Sequence, residues 1–127
     1  MDPLAFDGID AEITVTQSTS SDFAVAIQLT GPTGEDLKES RAVKWYLSKN
    51  SDGSTLATTS TDVTTLAAGT DGVVIEDDSN VSGWAVSESD GDIDFAIAVP
   101  STKVVYLVLV MPGSGRLVIS DAMTYGM

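Results

Sequence analysis

Between residues 103 and 111 the chain reads KVVYLVLVM, so that Val104, Tyr106, Val108 and Val110 alternate with Val105, Leu107 and Leu109. A strand apolar on both faces needs cover on both sides. It belongs in the middle of a packed β-structure, or beneath something contributed by another element or chain. Residues 22–30 are patterned differently: Phe23, Val25, Ile27 and Leu29 share one face, and Asp22, Ala24, Ala26, Gln28 and Thr30 the other. Period two over that length predicts a half-buried strand. Val43, Trp45 and Leu47 repeat the pattern, as do Ile93, Phe95, Ile97 and Val99 opposite Asp92, Asp94, Ala96 and Ala98. Further strands are predicted at 12–16, 72–76, 83–87 and 116–120.

Turn chemistry separates these runs. Gly31-Pro32-Thr33-Gly34, Asn50-Ser51-Asp52-Gly53, Thr70-Asp71-Gly72, Ser89-Asp90-Gly91 and Pro112-Gly113-Ser114-Gly115 place Gly where turns demand positive φ, and Pro, Asn and Asp where they pre-set or locally bond the backbone. Two stretches are less patterned. Residues 35–41 fit one helical turn or a plain loop, and the Thr- and Ser-rich stretch 54–68 fits an edge strand at 55–59 followed by an irregular connection. Seven to nine short strands in one chain of this length predict an all-β two-sheet antiparallel sandwich over 11–127, preceded by an N-terminal arm over 1–10.

The length of 127 residues is that of one domain, and such a domain buries roughly two-thirds of its unfolded surface, so it folds without disulfides or metal. The absence of cysteine leaves the redox compartment open. Charge changes the picture more. Six Lys and Arg stand against 19 Asp and Glu, a formal net charge of -13, and such a surface repels phosphate backbones. Nucleic acid is therefore excluded as a partner. The N-terminus lacks a basic region followed by an apolar core, and the longest apolar run falls short of a membrane span, so the expectation is a soluble chain made in the cytoplasm, with no membrane partner.

Candidate chemistry is sparse. Without histidine or cysteine, nucleophilic triads and ordinary zinc sites are closed, and no phosphate loop or dinucleotide fingerprint is present. No catalytic residue, cofactor or metal ligand is assigned. Paired carboxylates could in principle cleave a glycosidic bond, but a small sandwich offers few deep clefts. Glu88, Asp90, Asp92 and Asp94 recur every second residue, and Glu76, Asp77 and Asp78 form a second acidic knot. Asp90, Asp92 and Asp94 mimic the opening of a calcium loop, yet Phe95 stands where that loop needs Gly and Ser101 where it needs Glu. A solvated acidic face is the expectation, with calcium as the alternative.

Phe23, Trp45 and Phe95 lie on alternating apolar faces and are expected in the core. Trp84 follows Ser82-Gly83 at a strand start, at the rim of the domain, where a partner could cover it. In the arm, Leu4, Phe6 and Ile9 stand among Asp2, Pro3, Asp7 and Gly8, a pattern belonging to neither helix nor strand. They read as apolar pegs for a neighbouring subunit, the alternative being an ordinary frayed terminus.

The segments VAIQLTGPTGEDLKESRAVKWYLS, GTDGVVIE and SESDGDIDFAIAV, in that order, resemble immunoglobulin-like modules of the invasin type. The turn at 69–72, the acidic segment 87–94, Tyr106-Leu107-Val108-Leu109-Val110 and the final Arg116-Leu117-Val118 are similar to small structural proteins of tailed bacteriophages. Trp45 stands where antibody-type domains keep a core Trp beside paired cysteines, but the cysteines are missing, so the antibody subtype is excluded. The resemblance implies a virion component, non-enzymatic, that decorates or stabilises a capsid by binding the major capsid protein or another virion protein. Self-association is left open. The alternative is an adhesin-like module at a fibre or vertex that binds host carbohydrate or a receptor.

Overall fold

The structure, a computed structural model, describes residues 9–126. Its strands are β1 (Asp10–Gln17), β2 (Asp22–Thr30), β3 (Ala42–Ser48), β4 (Thr65–Ala68), β5 (Val73–Asp78), β6 (Ser82–Val86), β7 (Asp92–Ala98), β8 (Val104–Val110), β9 (Leu117–Ile119) and β10 (Met123–Thr124). No helix occurs among the described residues. The strands form two antiparallel sheets, one of four strands in the order β1-β2-β7-β4 and one of six built on β8-β3-β6-β5. β9 and β10 lie one after the other along the free side of β8, pairing with Val108–Val110 and with Val104 and Val105 respectively. This is the expected immunoglobulin-like sandwich.

The alternation read from the sequence decides which side chains meet. Phe23, Val25, Ile27 and Leu29 of β2 and Ile93, Phe95 and Ile97 of β7 face Val43, Trp45 and Leu47 of β3 and Val105, Leu107 and Leu109 of β8, all buried. Each large aliphatic or aromatic side chain so buried contributes about 1.5–3 kcal/mol. Turn glycines close the strands: Gly72 and Gly91 hold φ of 79° and 85°, a conformation that favours glycine, and both are hemmed in by backbone.

Several expectations are corrected. There are ten strands among the described residues rather than seven to nine, because β4 and the two-residue β10 are held by pairing with β7 and β8 and show little pattern of their own. Residues 35–41 form no helical turn; Asp36 bridges back to Thr30. Residues 55–59 form no strand but isolated bridges, Ser48 to Leu56 and Thr59 to Val63. Here a buried acid does the tethering instead. Asp62, 5% exposed, accepts a 2.8 Å bond from the Thr58 N–H and lies 3.6 Å from Lys49 Nζ and 3.8 Å from Lys103 Nζ, and Ala57 and Val63 are buried beside it.

At the start of the chain, Ile9 is buried and β1 begins at Asp10, which pairs with Arg116 at 2.6 Å. Ile9 and Asp10, both read as part of the arm, thus join the described fold, and Ile9 is covered within its own chain instead of being offered to a neighbour. Leu4 and Phe6 lie outside the described residues.

Candidate functional site: the outer face of the six-stranded sheet

The two sheets turn opposite chemistries outward. On the four-stranded sheet, β2 and β7 present Ala24, Ala26, Ala96 and Ala98, with Glu12, Gln28, Asp92 and Asp94 toward one end. Side chains this small leave shallow, open hollows, one of them of about 320 Å³ between Thr16, Ala24 and Thr70. At the acidic end Asp94 accepts a 2.7 Å bond from the Thr70 hydroxyl, and its backbone N–H donates to the Asp71 carbonyl. Partial desolvation, followed by repulsion from Glu88, Asp94 and Asp92, raises the Asp71 carboxyl above its ordinary value. Desolvation and Asp90 do the same to Asp92. Among the described residues no group of three acidic side chains converges as a metal site would require. Asp90 sits in the turn before β7 while Asp92 and Asp94 follow on its outer face, so strand geometry spreads these acids in a line.

The outer face of the six-stranded sheet is apolar. Register places Leu117 opposite Val110, Val110 opposite Lys44, Lys44 opposite Trp84, and Trp84 opposite Ile75. These five residues, from five adjacent strands, form one continuous row. Beside it, toward the strand ends, Ala42, Val86 and Val73 form a second. Trp84 is 43% exposed, Ile75 49%, Val73 56% and Leu117 40%. Lys44 is the charged residue of the row, and its ammonium lies 5.4 Å from the Trp84 ring centroid, a cation–π contact.

The other half of this face is covered by the chain itself. Tyr46, Val108 and Ile119 lie in register, and the turn through Gly53 folds over them: the Tyr46 hydroxyl donates to the Gly53 carbonyl at 2.8 Å. A side chain at Gly53 would come within 3.0 Å of that hydroxyl and 3.6 Å of Ile119. Desolvation, aided by Asp52, pushes the Tyr46 phenol upward. Val108 is completely buried in consequence. The doubly apolar run thus finds its second cover in a loop of the same chain for Val108, and only half-burial for Val104, Tyr106 and Val110.

Trp84 therefore lies not at the domain's rim but in the interior of a sheet face, with β3 on one side and β5 on the other. Alternation alone puts Trp84 opposite in direction to the buried Ala85; Ile75 comes from the preceding strand of the same hairpin, but Lys44, Val110 and Leu117 belong to strands distant in sequence, and no local signal links them to Trp84. Of the residues expected to bind a partner, Trp84 is on this face, Ile9 is in the core margin, and Leu4 and Phe6 are not described.

No protein-family model and no curated protein sequence matches the chain. Among solved structures the yeast GGA1 GAE domain is similar, with a TM-score of 0.36 and 8% identity over 93% of this chain and 91% of that one. The all-β layout of this chain is established by its own strand pairing.

Proposed function

We propose that this protein is a non-enzymatic virion structural module that decorates or stabilises a capsid by binding the major capsid protein through the outer face of its six-stranded sheet. The observation that carries the binding part is the exposed row Leu117, Val110, Lys44, Trp84, Ile75. Monomeric surfaces seldom leave large contiguous apolar area bare unless something docks there, and a tryptophan at the centre is the residue type that dominates such contacts. A chain without histidine or cysteine and with shallow hollows has little means of making or breaking bonds. The virion setting is supported by the resemblance of the turn at 69–72, the acidic segment 87–94 and the final hairpin to tailed-phage structural proteins. On a repeating lattice, many modest contacts hold firmly together.

The test is reconstitution. Particles lacking the protein are mixed with wild type or Trp84→Ser, and bound copies are counted by electron microscopy; saturation by wild type at capsid-lattice stoichiometry, with the variant absent, is expected. Failure of both to bind, or equal binding by both, overturns the proposal. The exposed Trp84 ring also favours a second reading, an adhesin-like module stacking host carbohydrate on that ring. A few copies at a vertex or tail, together with glycan-array binding abolished by Trp84→Ser, would select it.

A further inference from the structure

We infer that two copies of this protein pair through β1, antiparallel and about a twofold axis at Thr14, so that two four-stranded sheets become one. Among the described residues β1 has a single strand neighbour, β2, and pairs with it without a break from Asp10 to Gln17. Proteins that guard such a strand place a proline, a bulge or a lysine on it. DAEITVTQ carries none of these. Its inward residues Ile13 and Val15 pack on the core yet stay half-buried, whereas Ile27 and Val25, opposite them on β2, are buried. One more strand would complete their cover.

The backbone shows which groups β1 offers. The Ser18 N–H donates to the Asp22 carbonyl at 2.9 Å, at the end of the β1–β2 register. Bonded pairs alternate in an antiparallel ladder, so Thr16, Thr14 and Glu12 bond toward β2, and Ile13, Val15 and Gln17 turn their N–H and C=O groups outward. The Ala11 N–H also points outward and donates to Asp10 Oδ1.

Side-chain chemistry selects the guest and the register. A twofold axis normal to the sheet keeps core-facing residues on one side, so only residues of like direction stand opposite each other. An axis at Ile13 brings the two Glu12 side chains onto a diagonal, within repulsive reach. An axis at Thr14 sets Glu12 against Thr16, Ile13 against Val15 and Thr14 against itself. Asp10 is paired with Arg116, and the Gln17 amide donates to the Gly126 carbonyl at 2.7 Å, so both ends of β1 are pinned. A second β1 therefore arrives already extended, while a disordered peptide must first be ordered. The net charge of -13 on each copy opposes approach at long range, and salt screens it, so pairing should tighten as ionic strength rises.

The apolar row takes no part in this pairing, so the inference and the proposed function can fail separately. Sedimentation of the full chain, without particles, is the test. Wild type should shift from monomer to dimer with rising concentration, and sooner in high salt. Thr14→Lys and Thr14→Glu, at an exposed position, should each stay folded by melting temperature but monomeric, because like charges meet on the axis; mixed, they should regain the dimer. The chain has no cysteine, and opposed residues of a non-bonded pair lie about 4.5 Å apart at Cα. Under a mild oxidant Thr14→Cys should therefore form a linked dimer faster than Glu12→Cys or Thr16→Cys. Wild type that stays monomeric at every concentration and salt overturns the inference. A dimer that persists in both charged variants also overturns it.

Discussion

Trp45 of one sheet and Phe95 of the other meet edge to face, their ring centroids 5.3 Å apart and their planes at 77°. This pair sits where the two layers interlock. Phe95→Ala would remove the edge of the contact and leave a cavity that neither sheet can close alone. The expected cost is about 3–5 kcal/mol, read as a lower urea midpoint with an unchanged slope. Trp45→Phe should cost less, since it keeps an aromatic ring and removes an indole N–H that has no hydrogen-bond partner.

Gly83 of β6 lies directly against the backbone of β5. A methyl there would lie 1.9 Å from the Ile75 carbonyl oxygen and 2.9 Å from Glu76 Cα, both backbone atoms that no rotamer change can move. Gly83→Ala is expected to cost about 2–4 kcal/mol and to act locally. Hydrogen exchange should show the β5 amides losing protection while those of β2 and β7 keep theirs.

Trp84→Ser separates binding from folding. The side chain is exposed and its contacts are Lys44 and its strand neighbours, so stability should stay within about 0.5 kcal/mol of wild type. Attachment to particles should be lost. A large drop in melting temperature would instead make Trp84 a structural residue.

Acidity should stabilise the fold before it harms it. Asp71 and Asp92 have raised pKa values, from desolvation first and neighbouring acids second, so the folded state holds their protons more tightly than the unfolded chain does. Their contribution is fully present below the ordinary aspartate value and is lost as pH rises through the folded values. Lowering pH from neutrality toward the ordinary aspartate value should therefore raise the melting temperature. Asp10, held low by its bond to Arg116, works the other way: its contribution is present above the ordinary aspartate value and is lost as pH falls through its depressed folded value. Asp92→Asn should melt higher than wild type at neutral pH, with the gap closing in acid. Calorimetry across this range checks the sign; a gap that does not depend on pH would refute it.

The parts of this fold visible in the sequence are those whose burial is local. β2 spans 22–30 as its alternation predicts, and the inner residues of β3 and β7 are those that the period picks out, whereas in β8, apolar on both faces, the period does not choose the inward side. β4 was not visible because of its four residues only Leu66 is buried, and its strand state comes from pairing with β7. The 54–64 connection was opaque for a different reason: its anchor is the burial of Asp62 near two distant lysines, a tertiary arrangement with no sequence period. For the candidate site, the outward direction of Trp84 could be read from its neighbours. The row could not, because joining Leu117 to Ile75 requires the register of four strand pairs at once.

The edges of the two sheets differ in how open they are. β5 ends in a bulge and three consecutive acids, β4 is four residues long, and the opposite border of the larger sheet is broken between β9 and β10. Among the described residues only β1 presents eight uninterrupted residues at a border. Through these described edges, strand addition has one long receptive side, which can accept one guest strand or close a pair, while the short, broken or acidic borders offer poor footing for growth into filaments.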